Sequence, residues 1–164
     1  MSPCSATRAS AFATPAAACS AGHASIWRRA STGGDTSRVE RRLIPGHSPY
    51  EPVVGYSRAV VSGADVHVSG TAPIPREGDP PEGAYEQARL CLEIVGGALG
   101  EAGAGFADVV RTRIYLTDAD DWEEVARAHG EVFSEIRPAS TAVVVKGLLD
   151  PRWRVEIEAD AVLP

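Results

Sequence analysis

The chain of 164 residues is long enough for one globular domain with an extension, and short for two domains. With 44% hydrophobic and 23% charged residues, its composition excludes a chain that is disordered throughout. The longest aliphatic stretch, residues 142–145, is far too short to cross a membrane, which predicts a soluble protein with no membrane partner. The 16 basic and 22 acidic residues give a net charge of −6, so nucleic acid is a disfavoured partner.

The three cysteines, Cys4, Cys19 and Cys91, are odd in number and lack the close spacing of metal ligands. They predict neither a disulfide framework nor a zinc site. Cys91 falls within a predicted helix and is interpreted as a small buried hydrophobic residue. Free thiols fit a reducing compartment, so we expect a cytoplasmic protein.

The composition changes sharply near residue 40. Residues 1–25 contain no Leu, Ile or Val, and the first acidic residue is Asp35. Such a segment cannot bury enough apolar surface to offset its ordering entropy, so residues 1–39 are predicted to be a disordered extension. Two further explanations stay open. The first is an organellar transit peptide, which the segment resembles because it is rich in Ser and Ala and poor in acidic residues. The second is an overlong reading frame, in which translation actually begins at Val39.

Residues 40–164 carry the patterns of a folded domain. Of the 16 basic residues 12 lie here, and of the 22 acidic residues 21, which gives this part a net charge of −9. Period-two alternation predicts strands, spacings of three and four predict amphipathic helices, and proline or glycine clusters predict loops. In chain order we predict a hairpin of strands 53–61 and 66–69, a loop at 73–81, a helix at 82–102, a strand at 108–117, a helix at 120–136, a strand at 141–146, a loop at 147–152 and a strand at 153–162.

Two features of this pattern predict packing. The pair Gly96-Gly97 inside the first helix costs about 1 kcal/mol per glycine relative to alanine, so we expect a close contact there. In strand 108–117 the alternation places Val109 and Tyr115 on the face opposite Ile114. Two helices should pack on one face of so small a sheet, and apolar residues on the other face then predict oligomerisation.

The last strand and the second helix contain candidate acid–base groups. Glu156 and Glu158 lie two apart, so their carboxylates share one face at about 7 Å, a spacing that acid–base chemistry can use. Neutralisation by arginines across the sheet is the alternative, and it is favoured for Glu158 more than for Glu156. His129 falls on the apolar stripe of its helix, which favours a packed histidine over a general base.

Five segments carry a resemblance to a known family: VGYSRAV at 54–60, VSGT at 68–71, DVVRTRIYL at 108–116, RPAST at 137–141 and VEIEA at 155–159. In order and spacing they resemble the RidA-like family, the reactive-intermediate deaminases long labelled L-PSP endoribonucleases. The N-terminal part of the chain is not covered by this resemblance.

The resemblance implies a chorismate-mutase-like α+β fold, with a mixed sheet and two helices packed on one face. It implies a homotrimer with small-molecule pockets between subunits. It also implies hydrolysis of an imine or enamine to a carbonyl compound and ammonia, with no metal or organic cofactor. In active members a pocket arginine pairs with the substrate carboxylate, because a planar guanidinium can hold a carboxylate with two hydrogen bonds.

Carried over position by position, the resemblance implies that Glu156 is the catalytic residue and orients the attacking water. The residues that it predicts to contact the substrate are Tyr56, Ser69, Gly70, Ser140 and Thr141.

The pattern of active members is broken at three positions. Ser140 stands where the pocket arginine is expected, Ala142 where cysteine is usual and Ala126 where asparagine is common. Loss of a charge-assisted pair removes about 1.5 to 3 kcal/mol of binding. The basic residues that could supply the missing charge are Arg58, Arg137, Lys146 and Arg152.

Three functions therefore compete. The first is a deaminase-like hydrolase, and the second is a trimeric module that binds a metabolite for sensing or regulation without turnover. The third, ribonuclease, is opposed by the net charge of −9, although Arg58, Arg111 and Arg113 could form a local basic patch.

Overall fold

Six β-strands and two α-helices make up the part of the chain that the computed structural model describes, residues 39–48 and 50–164. The interpretation of residues 1–39 therefore lies, apart from Val39, outside the described residues. No helix in the described part is long and apolar enough to cross a membrane. The elements are β1 (Arg41–Ile44), β2 (Ala59–Ser62), β3 (Asp65–Thr71), α1 (Ala84–Ala102), β4 (Val109–Leu116), α2 (Trp122–Phe133), β5 (Ala139–Val144) and β6 (Val155–Val162).

The strands form one mixed sheet in the order β1-β2-β3-β6-β4-β5. Only β4 and β5 pair in parallel, and the other neighbours are antiparallel. The predicted α+β fold is confirmed. Both helices lie on one face of the sheet, since the Cys91 thiol of α1 approaches the Val155 carbonyl and His129 of α2 reaches Thr112 of β4.

The core lies between the helices and this face of the sheet. On β6, Val155, Ile157 and Ala159 are buried, whereas Glu156 and Glu158 alternate with them on the opposite face. Cys91 is fully buried, as predicted, and its burial raises the pKa of the thiol far above the ordinary value. A thiol that stays protonated is a packing group rather than a nucleophile.

The N-terminal part of the sheet differs from the sequence prediction. The hairpin begins at Ala59 rather than at residue 53, because Glu51–Gly55 forms a single helical turn. Pro52 fits the start of this turn, and Gly55 ends it with φ of 83°, a left-handed conformation that favours glycine. Strand β1 was not predicted, because its four residues are too few for a periodic pattern and include two exposed arginines.

The prediction that Val109 faces away from the helices is wrong. Val109 is buried and Val110 is 49% exposed. The ladder between β4 and β6 shifts register between Val109 and Arg111, so the alternation is interrupted at the start of β4. The face opposite the helices therefore presents Val110, with Arg113 and Tyr115, in place of Val109.

The close contact predicted at the glycine pair of α1 is found at one of the two positions. A Cβ atom at Gly96 would lie 2.8 Å from the ring of Phe106, whereas one at Gly97 would meet nothing within 4 Å. Gly96 thus lets the Phe106 ring pack against the helix. Phe106 in turn makes an edge-to-face contact with Phe133 of α2, with ring centroids 5.4 Å apart.

Alanine at these two glycines is expected to change stability in opposite directions. Gly96→Ala should lower the free energy of unfolding by about 1 kcal/mol, because overpacking costs more than the gain in helix propensity. Gly97→Ala should raise it by up to about 1 kcal/mol, since its position is exposed and open. Urea unfolding of both variants measures the difference. Equal stabilities would contradict the contact between Gly96 and Phe106.

Candidate functional site

Glu156, the predicted catalytic residue, lies on β6 beside the end of β3. A Cβ atom added at Gly70 would collide with the Glu156 carboxylate, so this glycine makes room for the carboxylate against the backbone of β3. The β3–β6 ladder shifts register between Val68 and Thr71, which places Gly70 in the irregular part of the strand. Two of the predicted site residues, Gly70 and Glu156, are therefore direct neighbours.

Ser69 and Tyr56 lie near the same strand end. The Ser69 hydroxyl donates a hydrogen bond of 2.7 Å to the carbonyl of Ser57, and the Ser69 N–H donates to the carbonyl of Arg58 at 3.0 Å. Tyr56 is half-buried and directly precedes Ser57, with an extended backbone at the end of the helical turn. Tyr56, Ser69, Gly70 and Glu156 thus belong to one neighbourhood of the chain.

Glu158 belongs to the sheet surface, as the alternative interpretation of this residue predicted. Arg113 donates hydrogen bonds to Glu158 at 2.8 Å and to Asp160 at 3.2 Å, and the Tyr115 hydroxyl donates to Glu158 at 3.3 Å. This carboxylate is held by fixed partners and is not available as a base. The structural interpretation of Glu158 is confirmed.

Glu156 differs from Glu158 although both lie on the same strand and face. It is half-buried and has neither an ion pair nor a hydrogen bond to a described residue. Burial raises the pKa of Glu156 above its ordinary value, the charge of Glu158 raises it further, and the nearby Arg58 opposes the shift. A free carboxylate with a raised pKa is a better proton acceptor than an ordinary surface glutamate.

The start of β6 is fixed by a buried amide on α1. Gln87 is fully buried, and its side-chain N–H groups donate to the carbonyls of Pro81 at 2.6 Å and Arg152 at 2.9 Å. Its side-chain oxygen accepts the N–H of Arg154 at 2.7 Å. Because Arg154 lies two residues before Glu156, this amide determines where β6 enters the sheet and thus where Glu156 lies.

Ser140 lies away from this neighbourhood, on the edge strand β5. It pairs with Thr112 in the parallel β4–β5 ladder, and the Thr112 hydroxyl is 2.9 Å from the Ser140 hydroxyl. The Thr112 hydroxyl is also 3.0 Å from Nε2 of His129. Ser140 therefore faces the helices, on the side of the sheet opposite to Glu156. This chain of hydrogen bonds was not predicted, because the parallel register of β4 and β5 cannot be derived from one sequence.

His129 is packed, as its place on an apolar stripe predicted. Its ring lies against Phe133, with centroids 4.6 Å apart, and Thr112 is its hydrogen-bond partner. Burial lowers the pKa of His129 below its ordinary value of 6.5, so the imidazole is mainly neutral at pH 7.

Thr141 occupies the other face of β5. It pairs with Arg113, whose partner on β6 is Glu158, so Thr141 shares a face with Glu156 but lies two strands away. The chain thus brings four of the six predicted site residues together. Ser140 and Thr141 stay apart from them on an exposed edge strand.

The four basic residues that could replace the expected arginine differ in their surroundings. Arg152 is bound to Asp150 and Asp79, each at 2.7 Å. Arg137 and Lys146 are exposed and flank β5. Arg58 is half-buried, and its guanidinium donates to the Thr71 hydroxyl at 2.7 Å and to the Gly70 carbonyl at 3.1 Å. Of these four residues, Arg58 alone contacts the neighbourhood of Glu156.

A cavity of about 420 Å³ lies elsewhere, between the two helices. It contains none of the predicted site residues. In residues 39–48 and 50–164, no group of three His, Cys, Asp or Glu side chains could hold a metal ion. The residues lining the cavity are Arg89, Leu92, Glu93, Phe106, Ala128, Glu131 and Val132.

Comparison with known proteins identifies the family. The family model described as endoribonuclease L-PSP matches residues 46–163. The chain is 39% identical to the uncharacterized protein SCO2049 of Streptomyces coelicolor over 77% of its own length and 94% of that protein. It is 33% identical to the 2-iminobutanoate/2-iminopropanoate deaminase of Capra hircus, over 77% and 93% respectively.

A solved structure agrees with this result. Rv2704 of Mycobacterium tuberculosis, a member of the YjgF/YER057c/UK114 family, is 44% identical and superposes with a TM-score of 0.70, covering 76% of this chain and 100% of that one. The chain belongs to the endoribonuclease L-PSP family, also called the RidA/YjgF family. The family predicted from the five sequence segments is confirmed.

Proposed function

We propose that the protein is a deaminase that hydrolyses small imines, and enamines after tautomerisation, to carbonyl compounds and ammonia. The observation that carries this proposal is Glu156, a half-buried carboxylate beside Gly70 with a raised pKa and no ion pair to a described residue. Membership of a family that includes the 2-iminobutanoate/2-iminopropanoate deaminase of Capra hircus supports it. The net charge of −9 in residues 40–164 weighs against a ribonuclease.

The proposed reaction needs one base and one water molecule. Water attacks the carbon of the C=N bond while the Glu156 carboxylate accepts a proton from it. Glu156 passes this proton to the nitrogen, then takes the hydroxyl proton of the resulting amino alcohol and delivers it to the nitrogen as well. The C–N bond breaks as the carbonyl forms, so ammonia leaves with both protons of the water and the carbonyl keeps its oxygen. Only ionised Glu156 can accept the proton, so the rate should fall as the pH drops through its raised pKa.

The proposed site is completed by a second copy of the chain in a homotrimer. Within one chain, Ser140 faces the helices and Glu156 faces away from them, so one chain does not enclose both. The edge strand β5 is exposed along its whole length and is available to a neighbouring copy. Under this proposal, Ser140 and Thr141 of one copy and Tyr56, Ser69, Gly70 and Glu156 of another contact the substrate.

Ammonia release from 2-iminopropanoate, generated in the assay, tests the proposed function. We expect faster release with the protein than with buffer, together with formation of pyruvate. Light scattering at micromolar concentration tests the trimer. A monomer, or no acceleration across a panel of imines and enamines, would contradict the deaminase.

The second candidate function is a trimeric module that binds a metabolite without turning it over. The observation that favours it is the hydrogen bond between Ser140 and Thr112, at the position where the family resemblance implies a pocket arginine. Binding of a 2-oxo acid without ammonia release from any imine would establish this alternative.

A further inference from the structure

Arg58 differs from the other half-buried arginines of the described residues. Three arginines in this part of the chain are half-buried: Arg58, Arg113 and Arg154. Arg113 pairs with Glu158 at 2.8 Å, and Arg154 binds Asp121 through its Nε at 2.8 Å. The partners of Arg58 are a hydroxyl and a carbonyl, both neutral, and no described carboxylate forms an ion pair with it.

The counter-charge of Arg58 is that of Glu156, whose pKa it lowers without forming an ion pair. Withdrawing a charge from water costs free energy unless a counter-charge compensates it, and Arg113 and Arg154 follow that rule. A guanidinium has five N–H donors in one plane. Arg58 uses one donor toward Thr71 and one toward Gly70, which leaves donors for an incoming anion.

The position of Arg58 relative to Glu156 defines the ligand that would fit. Both groups flank Gly70: Arg58 binds its carbonyl, and the Glu156 carboxylate lies where a Gly70 side chain would be. A small molecule could thus place its carboxylate on Arg58 and its reacting carbon near Glu156. In 2-imino and 2-oxo acids the carboxylate is attached directly to the reacting carbon, so a ligand of this class could contact both groups at once.

The geometry points to Arg58 as the anion-binding residue of the site, with small 2-imino and 2-oxo carboxylates as its ligands. The inference rests on the proposed function, since it names the residue that binds the substrate carboxylate at that same site. Arg58 would then supply from β2 the charge that Ser140 on β5 lacks. Arg152 is already bound by two carboxylates, and Arg137 and Lys146 lie beside β5, away from Gly70.

The first test uses the unmodified protein. Pyruvate and pyruvamide have nearly the same size, but only pyruvate is an anion. We expect calorimetric titration to give an affinity for pyruvate about tenfold or more above that for pyruvamide, because the carboxylate gains charge-assisted hydrogen bonds. Equal affinities, or no binding of pyruvate at millimolar concentration, would overturn the inference.

The second test assigns the charge to Arg58. Arg58→Gln should remove the preference for pyruvate, and Arg58→Lys should keep part of it, because lysine retains the charge but loses the planar fork. Arg152→Gln is the matched control and should leave the preference unchanged. A folded, trimeric Arg58→Gln variant that binds pyruvate like the unmodified protein would overturn the inference.

Turnover separates this inference from the proposed function. Pyruvate binding that depends on Arg58, without ammonia release from 2-iminopropanoate, would support Arg58 as an anion-binding residue and contradict the deaminase activity. Ammonia release that is unaffected by Arg58→Gln would support the deaminase activity and overturn the proposed role of Arg58. With both correct, Arg58→Gln should lower kcat/KM for 2-iminopropanoate by about tenfold or more.

Discussion

Glu156→Gln is expected to reduce ammonia release from 2-iminopropanoate by about 10²- to 10⁴-fold, the usual contribution of a general base. The amide has nearly the same size as the carboxylate and fits beside Gly70, but it cannot accept a proton from water. The loss should therefore appear in kcat, while the affinity for pyruvate changes little. A variant that keeps more than about a tenth of the rate would exclude Glu156 as the base.

The same substitution is expected to raise stability at neutral pH. The pKa of Glu156 is raised in the folded protein, mainly by burial, from an ordinary value of 4.5. The folded state therefore binds the proton more tightly than the unfolded chain, and this stabilisation is lost as the pH rises through the folded pKa. At pH 7 the ionised carboxylate destabilises the fold, and glutamine removes that cost. The gain in melting temperature should be larger at pH 7 than at pH 4.

Glu158→Gln is the matched control for both measurements. Glu158 lies on the same strand and face but is held by Arg113 and Tyr115. Its replacement should leave most of the turnover and should not stabilise the protein, because it weakens an ion pair. A partly exposed pair of this kind contributes about 0 to 1 kcal/mol. If both variants lost activity equally, the distinction between the two carboxylates would be wrong.

The part of the site on β6 was predictable because its pattern is local. Residues 153–162 alternate almost strictly between apolar and charged side chains, which assigns Glu156 to the face opposite the core without any knowledge of neighbouring strands. The different surroundings of Glu156 and Glu158 come instead from pairing with β4, since Arg113 and Glu158 are 45 residues apart in the sequence. Arg113 is the cross-strand partner of Glu158, and Tyr115 that of Glu156.

The parts that the sequence did not predict depend on contacts between distant segments. Val109 and Val110 exchange faces because the ladder with β6 is irregular there, and alternation along β4 alone contains no sign of it. The hydrogen bonds from Ser140 through Thr112 to His129 need the parallel register of β4 and β5. A register of this kind is set by the packing of whole strands, so a single sequence does not specify it.

The role of Arg58 likewise could not be predicted from the sequence alone. It was one of four basic residues that could supply the missing charge, and residue type could not separate them. The structure distinguishes these candidates by their hydrogen-bond partners. Arg152 has two carboxylate partners, whereas Arg58 has a hydroxyl and a carbonyl. Charge balance at a site thus becomes visible only once the neighbours of each charge are known.

Gln87→Met is expected to lower the free energy of unfolding by about 2 to 4 kcal/mol. Methionine has a similar length and volume, so the packing of α1 should be retained while three hydrogen bonds are lost. The carbonyls of Pro81 and Arg152 and the N–H of Arg154 would then have no partner. Each buried polar group left unpaired costs about 1 to 3 kcal/mol, and relaxation of the loop before β6 recovers part of that.

Urea unfolding at one fixed protein concentration measures this loss, because the stability of an oligomer depends on concentration. Glu93→Met on the same helix is the control: Glu93 is exposed, and its replacement should change the free energy of unfolding by less than about 0.5 kcal/mol. Since Gln87 fixes the entry of β6, the Gln87 variant should also release ammonia more slowly, even under conditions where it remains folded. Stability within about 0.5 kcal/mol of the unmodified protein would mean that Gln87 does not hold β6 in solution. The position of Glu156 would then depend on pairing within the sheet alone.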